Sequence, residues 1–217
     1  MALSFKKTNG AAIKNSHEAY TYVDGENTVR LIGGILPRYI YWVKGTNDKQ
    51  IPVECLAFDR ELEKFNNMEV DHVPEYYPDL KCGWSYTINC IDPKDGKVKV
   101  LNLKKKLFGQ VLSAAEDLGL DPTDPDEGFD IVFKRVKTGA LAYNVEYTLS
   151  VLKLKKRALT EAERAAADAA PTIDAKYPRP KPEEIKALLD KIARGTSDEA
   201  ESDTGAGVDT ESVNELG

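Results

Sequence analysis

The segment WSYTINCIDPKDGKVKVLNLKKKLFGQVLSAAEDLG, residues 84–119, is the most informative part of the chain for its architecture. It begins with two stretches rich in β-branched and aromatic residues, Trp84–Ile91 and Lys97–Leu103, which we predict to be strands. The residues DPKDGK between them place Asp-Gly at the tip of a turn, which indicates a β-hairpin. A helix is predicted at Lys104–Gly119, because apolar residues recur there at helical spacing and Gly119 is a natural C-terminal stop.

The strand pattern continues on both sides of this segment. Alternating or β-branched runs predict further strands at Thr28–Ile35, Tyr39–Lys44, Ile51–Phe58, Phe129–Lys137 and Ala142–Lys155. A short helix is predicted at Asp59–Asn66, with Asp59 as its N-cap. The predicted fold class is mainly β with helices (α+β), and a helix between short strands is compatible with a partly closed, OB-like barrel. We place this domain at residues 20–157, after an N-terminal arm at residues 1–19.

Residues 158–195 form a predicted helical extension of different composition. Thr160 followed by Glu163 has the pattern of a capping box. A second helix is expected from Pro182 to Gly195, because proline favours the first turn of a helix and glycine the position after its end. This helix has one apolar stripe, formed by Ile185, Leu188, Leu189 and Ile192. The stripe either docks on the domain or binds a partner protein.

The acidity of the chain is concentrated at its C-terminus. Residues 196–217 carry seven acidic side chains and no basic one, whereas residues 1–157 carry 23 basic and 22 acidic side chains. The last segment contains no aromatic residue and few large aliphatic ones, so it cannot bury enough apolar surface to fold. We predict a disordered acidic tail, and a net charge of −6 that does not argue against binding of nucleic acid by the nearly neutral domain.

No catalytic signature is present in the sequence. It lacks a glycine-rich phosphate loop, a GxSxG motif and an HExxH motif. We therefore expect a protein that is not an enzyme. A metal-dependent nuclease is the enzymatic alternative, with candidate carboxylates at Asp59, Glu61, Asp71 and Asp79, but exposed loop and helix positions account for these acids more simply.

The three cysteines, Cys55, Cys82 and Cys90, are an odd number and include no close pair, so they predict thiols rather than disulfides. A metal site combining them with His72 is the alternative, although the tight ligand pair of structural zinc sites is missing. We expect no cofactor, zinc included. No signal peptide and no membrane-spanning stretch is recognisable, which predicts a cytoplasmic protein without a membrane partner.

Basic residues alternate with aromatic residues on several of the predicted strands. Lys97 and Lys99 project from one side of their strand, and Trp84 and Tyr86 share a side of theirs. Cations that neutralise phosphates, combined with rings that stack on bases, are typical of proteins that bind single strands without sequence preference. The lysines would also suit the solvent-exposed face of an ordinary β domain, and the aromatic residues would suit its core. Composition and spacing therefore leave both interpretations open.

Three blocks resemble the bacteriophage single-stranded-DNA-binding proteins of the T-even, helix-destabilising type. They are ENTVRLIGGILP (26–37), WSYTINCIDPKDGKVKVLNLKKKLFGQVL (84–112) and DPTDPDEGFDIVFKRVKTGALAYNVEYTLSV (121–151). The resemblance implies an OB-fold that binds single-stranded DNA in phage replication, recombination and repair. It also implies self-association on DNA through the N-terminal segment and contacts of the acidic tail with replication and recombination proteins. A viral protein of this kind would act in the host cytoplasm.

By position, the resemblance assigns a basic and a stacking role to Lys81 and Trp84, a basic helix start to Lys104–Lys106, and a loop aromatic to Tyr143. The best-known members of that family hold zinc through one His and three Cys with a close Cys pair, which this chain lacks. The predicted DNA groove consists of Arg30, Tyr39, Tyr41, Lys81, Trp84, Tyr86, Lys97, Lys99, Lys104, Lys105, Lys106, Lys134, Arg135, Lys137 and Tyr143. The alternative function is a protein-interaction module that acts through the C-terminal helix and tail without binding nucleic acid.

Overall fold

The computed structural model of the protein describes residues 18–45, 49–140 and 144–195. Its strands are β1 (Gly25–Lys44), β2 (Gln50–Glu54), β3 (Phe58–Asp59), β4 (Lys64–Phe65), β5 (Gly83–Ile91), β6 (Val98–Leu103), β7 (Asp130–Lys137) and β8 (Val145–Leu149). Its helices are α1 (Val73–Tyr76), α2 (Lys105–Leu118), α3 (Glu161–Ala169), α4 (Ile173–Lys176) and α5 (Pro182–Ala193). The predicted N-terminal arm up to residue 17 and the acidic tail lie outside the described residues.

Six of the strands form one antiparallel sheet. The order across it is β6-β5-β1-β7-β8, and β2 pairs with the second half of β1. The hairpin β5–β6 and the helix α2 lie where residues 84–119 predict them, and α2 ends at Gly119. The predicted α+β class is confirmed. Within the described residues β6 and β8 stay at opposite ends of the sheet, so it is not closed into a barrel.

The strand β1 joins two predicted strands into one bent strand of 20 residues. At its centre, Ile32 pairs with Asn89 while Ile35 pairs with the adjacent Ile88, so Gly33 and Gly34 form a bulge. Gly33 has a φ of 70°, which glycine adopts without steric cost. Because the bulge adds an even number of residues, side chains before and after it keep the same alternation between the two faces of the sheet.

The two faces of the sheet are covered by different parts of the chain. On the front face, Val29, Leu31 and Ile88 belong to a buried cluster that includes Leu107, Val111 and Ala114 of α2. On the back face, Ile32 and Ile91 pack with Leu159, and Leu36 and Val100 pack with Ile173. The segment from residue 158 to residue 181, which carries α3 and α4, thus forms a strap across the back face.

The predicted helix at Asp59–Asn66 is wrong, because this segment folds as the small hairpin β3–β4. The Asp59 carboxylate accepts hydrogen bonds from the backbone N–H groups of Glu61 and Leu62, at 2.8 and 3.0 Å. The second carboxylate oxygen accepts from the Asn66 amide at 2.8 Å. Asp59 therefore closes a turn instead of capping a helix, since aspartate side chains compete for local backbone N–H groups.

Two predicted strands are shorter in the structure than in the sequence pattern. The expected strand Ile51–Phe58 ends at Glu54, and the chain turns before β3. The expected strand Ala142–Lys155 is present as β8, after which Val151–Lys153 form a 3-10 turn. The apolar pattern continues beyond both strands, so the sequence gives no sign of where main-chain pairing stops.

The helix α5 docks on the domain, which settles the alternatives left open by its apolar stripe. Ile185, Leu189 and Ile192 are buried in a cluster that includes Tyr41 and Val43 of β1. The contact is reinforced by the Tyr76 hydroxyl, which donates to Asp190 at 2.6 Å. No helix in residues 18–45, 49–140 and 144–195 is long and apolar enough to cross a membrane.

The start of the strap is held by an ion-pair network around Arg157. Its guanidinium donates to Asp130 of β7 at 2.8 Å and to both carboxylate oxygens of Glu163 at 2.7 and 2.8 Å. Glu163 also completes the predicted capping box with Thr160. The hydrogen bonds from Arg157 lower the pKa of Glu163 to about 2.

We predict that Leu189→Ala destabilises the protein by about 2–5 kcal/mol, the cost of deleting a fully buried leucine side chain. Urea unfolding followed by circular dichroism measures the change. The matched control is Lys186→Ala on the exposed side of the same helix, which should change stability little. Equal effects of the two substitutions would contradict the docking of α5.

We also predict that Glu163→Gln reduces the acid sensitivity of folding. The pKa of Glu163 is depressed in the folded state, so the carboxylate stabilises the fold above its unfolded pKa near 4.5, and that contribution disappears as the pH falls toward 2. The variant should be less stable than the parent at pH 7, and the two should converge between about pH 4.5 and pH 2. Parallel stability curves from thermal melts across this range would contradict the role of Glu163.

Candidate nucleic-acid interface

Six aromatic rings meet on the front face between α2 and the β3–β4 hairpin. We call this group the aromatic surface; its members are Tyr39, Phe58, Phe65, Trp84, Tyr86 and Phe108. Trp84 and Tyr86 are stacked with ring centroids 3.6 Å apart and planes 11° from parallel. Phe108 of α2 contacts both rings, at 5.4 and 5.1 Å. The strands, the hairpin and α2 each contribute rings to this surface.

The second half of the aromatic surface is organised around Tyr39. Its ring lies 4.8 Å from Phe58, 4.9 Å from Phe65 and 6.4 Å from Trp84, measured between centroids. Phe58 is buried, whereas Phe65 is 51% exposed and Tyr39 and Trp84 are partly exposed. The buried rings therefore support a set of accessible ones, an arrangement that presents flat apolar faces to a ligand.

Lysines border the aromatic surface on several sides. Lys104 and Lys105 stand at the start of α2, where the helix dipole also favours anions. Burial raises the pKa of Tyr39, and the positive charge of Lys105 opposes that rise. Lys64 in β4 and Lys81 just before β5 are both exposed. Lys106 follows on α2 and pairs with Glu146 of β8.

One acid lies among these groups. Glu63, at the tip of the β3–β4 hairpin, accepts a hydrogen bond of 2.6 Å from the Tyr86 hydroxyl. Burial and this hydrogen bond raise the pKa of Tyr86. Glu63 has a φ of 49°, which is uncommon for a residue other than glycine. The bond to Tyr86 thus ties the hairpin tip to the stacked pair of the aromatic surface.

Six residues of the predicted groove are gathered at this place: Tyr39, Lys81, Trp84, Tyr86, Lys104 and Lys105. Lys106 is directed toward Glu146 of β8 at the other end of the sheet. The other predicted residues are buried or lie elsewhere. Tyr41 is buried below α5 and donates to Asp71 at 2.9 Å, so its expected position in an accessible groove is wrong. Tyr86 is also buried, beneath Trp84. Tyr143 lies outside the described residues.

The expectation of an accessible Arg30 is wrong as well. Its side chain is 1% exposed and points to the back, where its Nη2 donates to the backbone oxygen of Asp124 at 2.5 Å. The loop there approaches closely, because a Cβ added to Gly128 would lie 2.7 Å from Arg30 Nη2 and 2.5 Å from the Asp124 oxygen. Arg30 therefore holds the loop between α2 and β7 against the sheet.

Two groups of predicted cations lie apart from the aromatic surface. Lys97 and Lys99 share a side of their strand, since both reach Glu18, but they stand at the opposite end of β5 from Trp84. Lys99 is bound by Asp92 and Asp95 at 2.8 Å each. The second group is on β7, beyond β1, and comprises exposed Lys134 and Lys137 together with Arg135, which pairs with Asp24.

The residues proposed for an alternative metal site lie in separate surroundings. His72 contacts Glu75 at 2.9 Å, Cys90 is buried in the cluster below α2, and Cys55 is buried near Tyr41 and Asp71. Burial raises the pKa of Cys90 to about 12. Among the residues that the structure describes, no three His, Cys, Asp or Glu side chains are placed to hold a metal ion.

Sequence reasoning missed Phe58, Phe65 and Phe108 as members of the surface. Phe108 lies two residues after Lys106 on α2, and its position beside the apolar stripe of that helix was the available signal. Phe58 and Phe65 flank a segment whose charges suggest a helix. Only the pairing of Phe58 with Phe65 in the hairpin reveals that both rings point toward Tyr39.

Comparison with known proteins shows a similarity that extends along the whole chain. No protein-family model matches the chain. The chain is 26% identical, over an alignment of 263 positions, to a protein of Escherichia phage T5 named "Probable ssDNA-binding protein". The alignment covers all of this chain and 99% of the phage protein. The similarity thus extends over the sheet, the strap and the segments outside the described residues.

Proposed function

We propose that the protein binds single-stranded DNA without sequence specificity through the aromatic surface. The observation that carries the proposal is the set of accessible rings, Tyr39, Phe65 and Trp84, bordered by lysines of α2, β4 and the start of β5. Bases stack on such rings whatever their identity, and the lysines neutralise the phosphates that connect them. The name of the phage T5 relative supports the same activity.

The wider role that we propose is protection and organisation of single strands in phage DNA replication, recombination and repair, in the host cytoplasm. Self-association on DNA and contacts of residues 196–217 with replication and recombination proteins belong to this proposal. The resemblance of the chain to the T-even type of these proteins stays a prediction. The rival function, a module that binds proteins through α5, loses its main support because the apolar stripe of α5 is buried on the domain itself.

The direct test is tryptophan fluorescence of a Trp42→Phe variant, in which Trp84 is the remaining tryptophan. Titration with oligo-dT should quench Trp84, the quenching should weaken with salt, and duplex DNA should compete poorly. Absence of any oligo-dT response at low salt, together with no binding in a filter or gel assay, would overturn the proposed function.

Phe65→Ala should weaken oligo-dT binding by about 1–3 kcal/mol, the contribution of one stacked base. The matched control is Met68→Ala, which removes a side chain that is 82% exposed in the same segment but has no aromatic ring. Fluorescence anisotropy of labelled oligo-dT measures both variants. Equal weakening by the two would indicate that apolar exposure, and not stacking, drives binding.

Lys105→Ala should reduce the dependence of log K on log salt by up to about 0.7, the value for one phosphate contact in a single strand. The control is Lys94→Ala at the tip of the β5–β6 hairpin, which makes the same change in net charge far along β5 from Trp84. An identical salt dependence of these two variants would place the phosphates elsewhere.

A further inference from the structure

A cavity of about 320 Å³ lies on the back face, on the side of the sheet opposite the aromatic surface. We call it the back-face cavity; its lining includes Arg38, Trp42, Thr87, Asn102, Lys176 and Tyr177. Arg38 pairs with Ser85 while the adjacent Tyr39 pairs with Trp84, so consecutive residues of β1 reach the two sites. Its volume is at the lower end of the range for small-ligand sites, which begins at about 300 Å³.

Cations outnumber acids around this cavity. Three basic side chains lie around the buried carboxylate of Glu54, namely Arg38, Arg60 and Arg179, and a fourth, Lys176, lines the same cavity. Arg60 binds both oxygens of Glu54, at 2.7 and 2.5 Å, and Arg179 approaches one of them at 3.5 Å. Glu54 itself lines the cavity, and its negative charge opposes the lowering of the Arg38 pKa by burial, but the carboxylate is already paired with the guanidinium groups of Arg60 and Arg179.

The two cations that line the cavity bond to neutral acceptors. Arg38 Nη2 donates to the Thr87 hydroxyl at 3.2 Å, and Lys176 Nζ donates to the Asn89 side-chain oxygen at 2.7 Å. Burial lowers the pKa of both groups. Within the described part of the chain, Arg38 Nε and Asn102 Oδ1 are buried without a hydrogen-bond partner. Buried polar groups in this condition are costly and are relieved when a ligand supplies the missing partner.

Two of the residues that line the cavity are aromatic. Trp42 projects from β1, and Tyr177 projects from the strap, where the Arg38 guanidinium lies 4.2 Å from the centroid of its ring. Pro178 and Pro180 flank the strap residue Arg179 and restrict the backbone that carries Tyr177. A restricted wall of this kind loses little conformational entropy when a ligand binds.

We propose that the back-face cavity is a nucleotide-binding subsite, in which Arg38 and Lys176 bind the phosphate and Trp42 and Tyr177 contact the base. Guanidinium and ammonium groups recognise phosphate by charge-assisted hydrogen bonds, and aromatic side chains stack on bases. The nucleotide belongs either to a single strand that passes around the sheet or to a free nucleoside monophosphate. The first source rests on the proposed function, whereas the second does not.

The two tryptophans allow each site to be observed separately. In a Trp84→Phe variant, Trp42 in the cavity is the remaining tryptophan. Titration of this full-length protein with dTMP should change Trp42 fluorescence with saturation. Thymidine and inorganic phosphate should each bind at least about tenfold more weakly, since each lacks half of the recognised groups. Oligo-dT in a parallel titration reports whether a strand also reaches the cavity.

The contribution of the guanidinium is tested by adding Arg38→Met to the Trp84→Phe protein, which should weaken dTMP binding at least about tenfold. Arg164→Met on α3, whose partner is Asp126, is the matched control and should leave dTMP binding unchanged. If circular dichroism shows that Arg38→Met does not fold, Arg38→Lys keeps the charge and removes the planar fork, and should still weaken binding.

A Trp42 signal that responds to neither dTMP nor oligo-dT would overturn the subsite. Phosphate binding as tight as dTMP would overturn the base contact, and a dTMP affinity unaffected by the Arg38 substitutions would overturn the phosphate contact. These outcomes can be distinguished from a failure of the proposed single-strand binding at the aromatic surface. That failure appears as a Trp84 signal, in the Trp42→Phe protein, that does not respond to oligo-dT.

Discussion

Main-chain pairing along β1 is the interaction on which the rest of the structure depends. This strand bonds to β7 with its first half, to β5 across its centre and to β2 with its second half. The bulge at Gly33 and Gly34 lets one strand serve three partners without losing its alternation. As a result, Tyr39 reaches the front face and Arg38 and Trp42 reach the back face from neighbouring positions, with Arg38 and Tyr39 paired to β5 and Trp42 paired to β2.

Elements whose structure is determined by neighbouring residues were predicted correctly from the sequence, whereas those determined by distant contacts were not. The hairpin β5–β6 and helix α2 are local structures with their own turn, periodicity and stop, and they are found where the pattern predicts them. The capping box at Thr160 and Glu163 is equally local. The segment after Asp59 does not fold according to its local pattern. The Asp59 side chain closes a turn, and the Phe65 ring contacts Tyr39, which is distant in the sequence. Contacts between residues distant in the sequence produce no periodic pattern of apolar residues, so the sequence does not predict them.

The candidate site shows the same division between local and distant information. Residue type and position on or beside regular elements single out Trp84, which belongs to the aromatic surface, and Lys104 and Lys105, which border it. Arg30 is buried by a loop from a distant part of the chain, and Tyr41 is buried by α5. Neither contact is visible in the residues next to them. Burial by a distant segment is therefore what separated the accessible rings and cations from the inaccessible ones.

The close approach of Gly128 to Arg30 has an evolutionary consequence. A side chain at position 128 would occupy the space of the Arg30 guanidinium and of the Asp124 carbonyl that it binds. Position 128 is therefore expected to stay glycine among descendants of this sequence, because a Cβ there would also lie 2.8 Å from the Pro122 backbone oxygen. Loss of Arg30 would remove only one of the three close neighbours, so a lineage without the arginine is expected to keep the glycine as well.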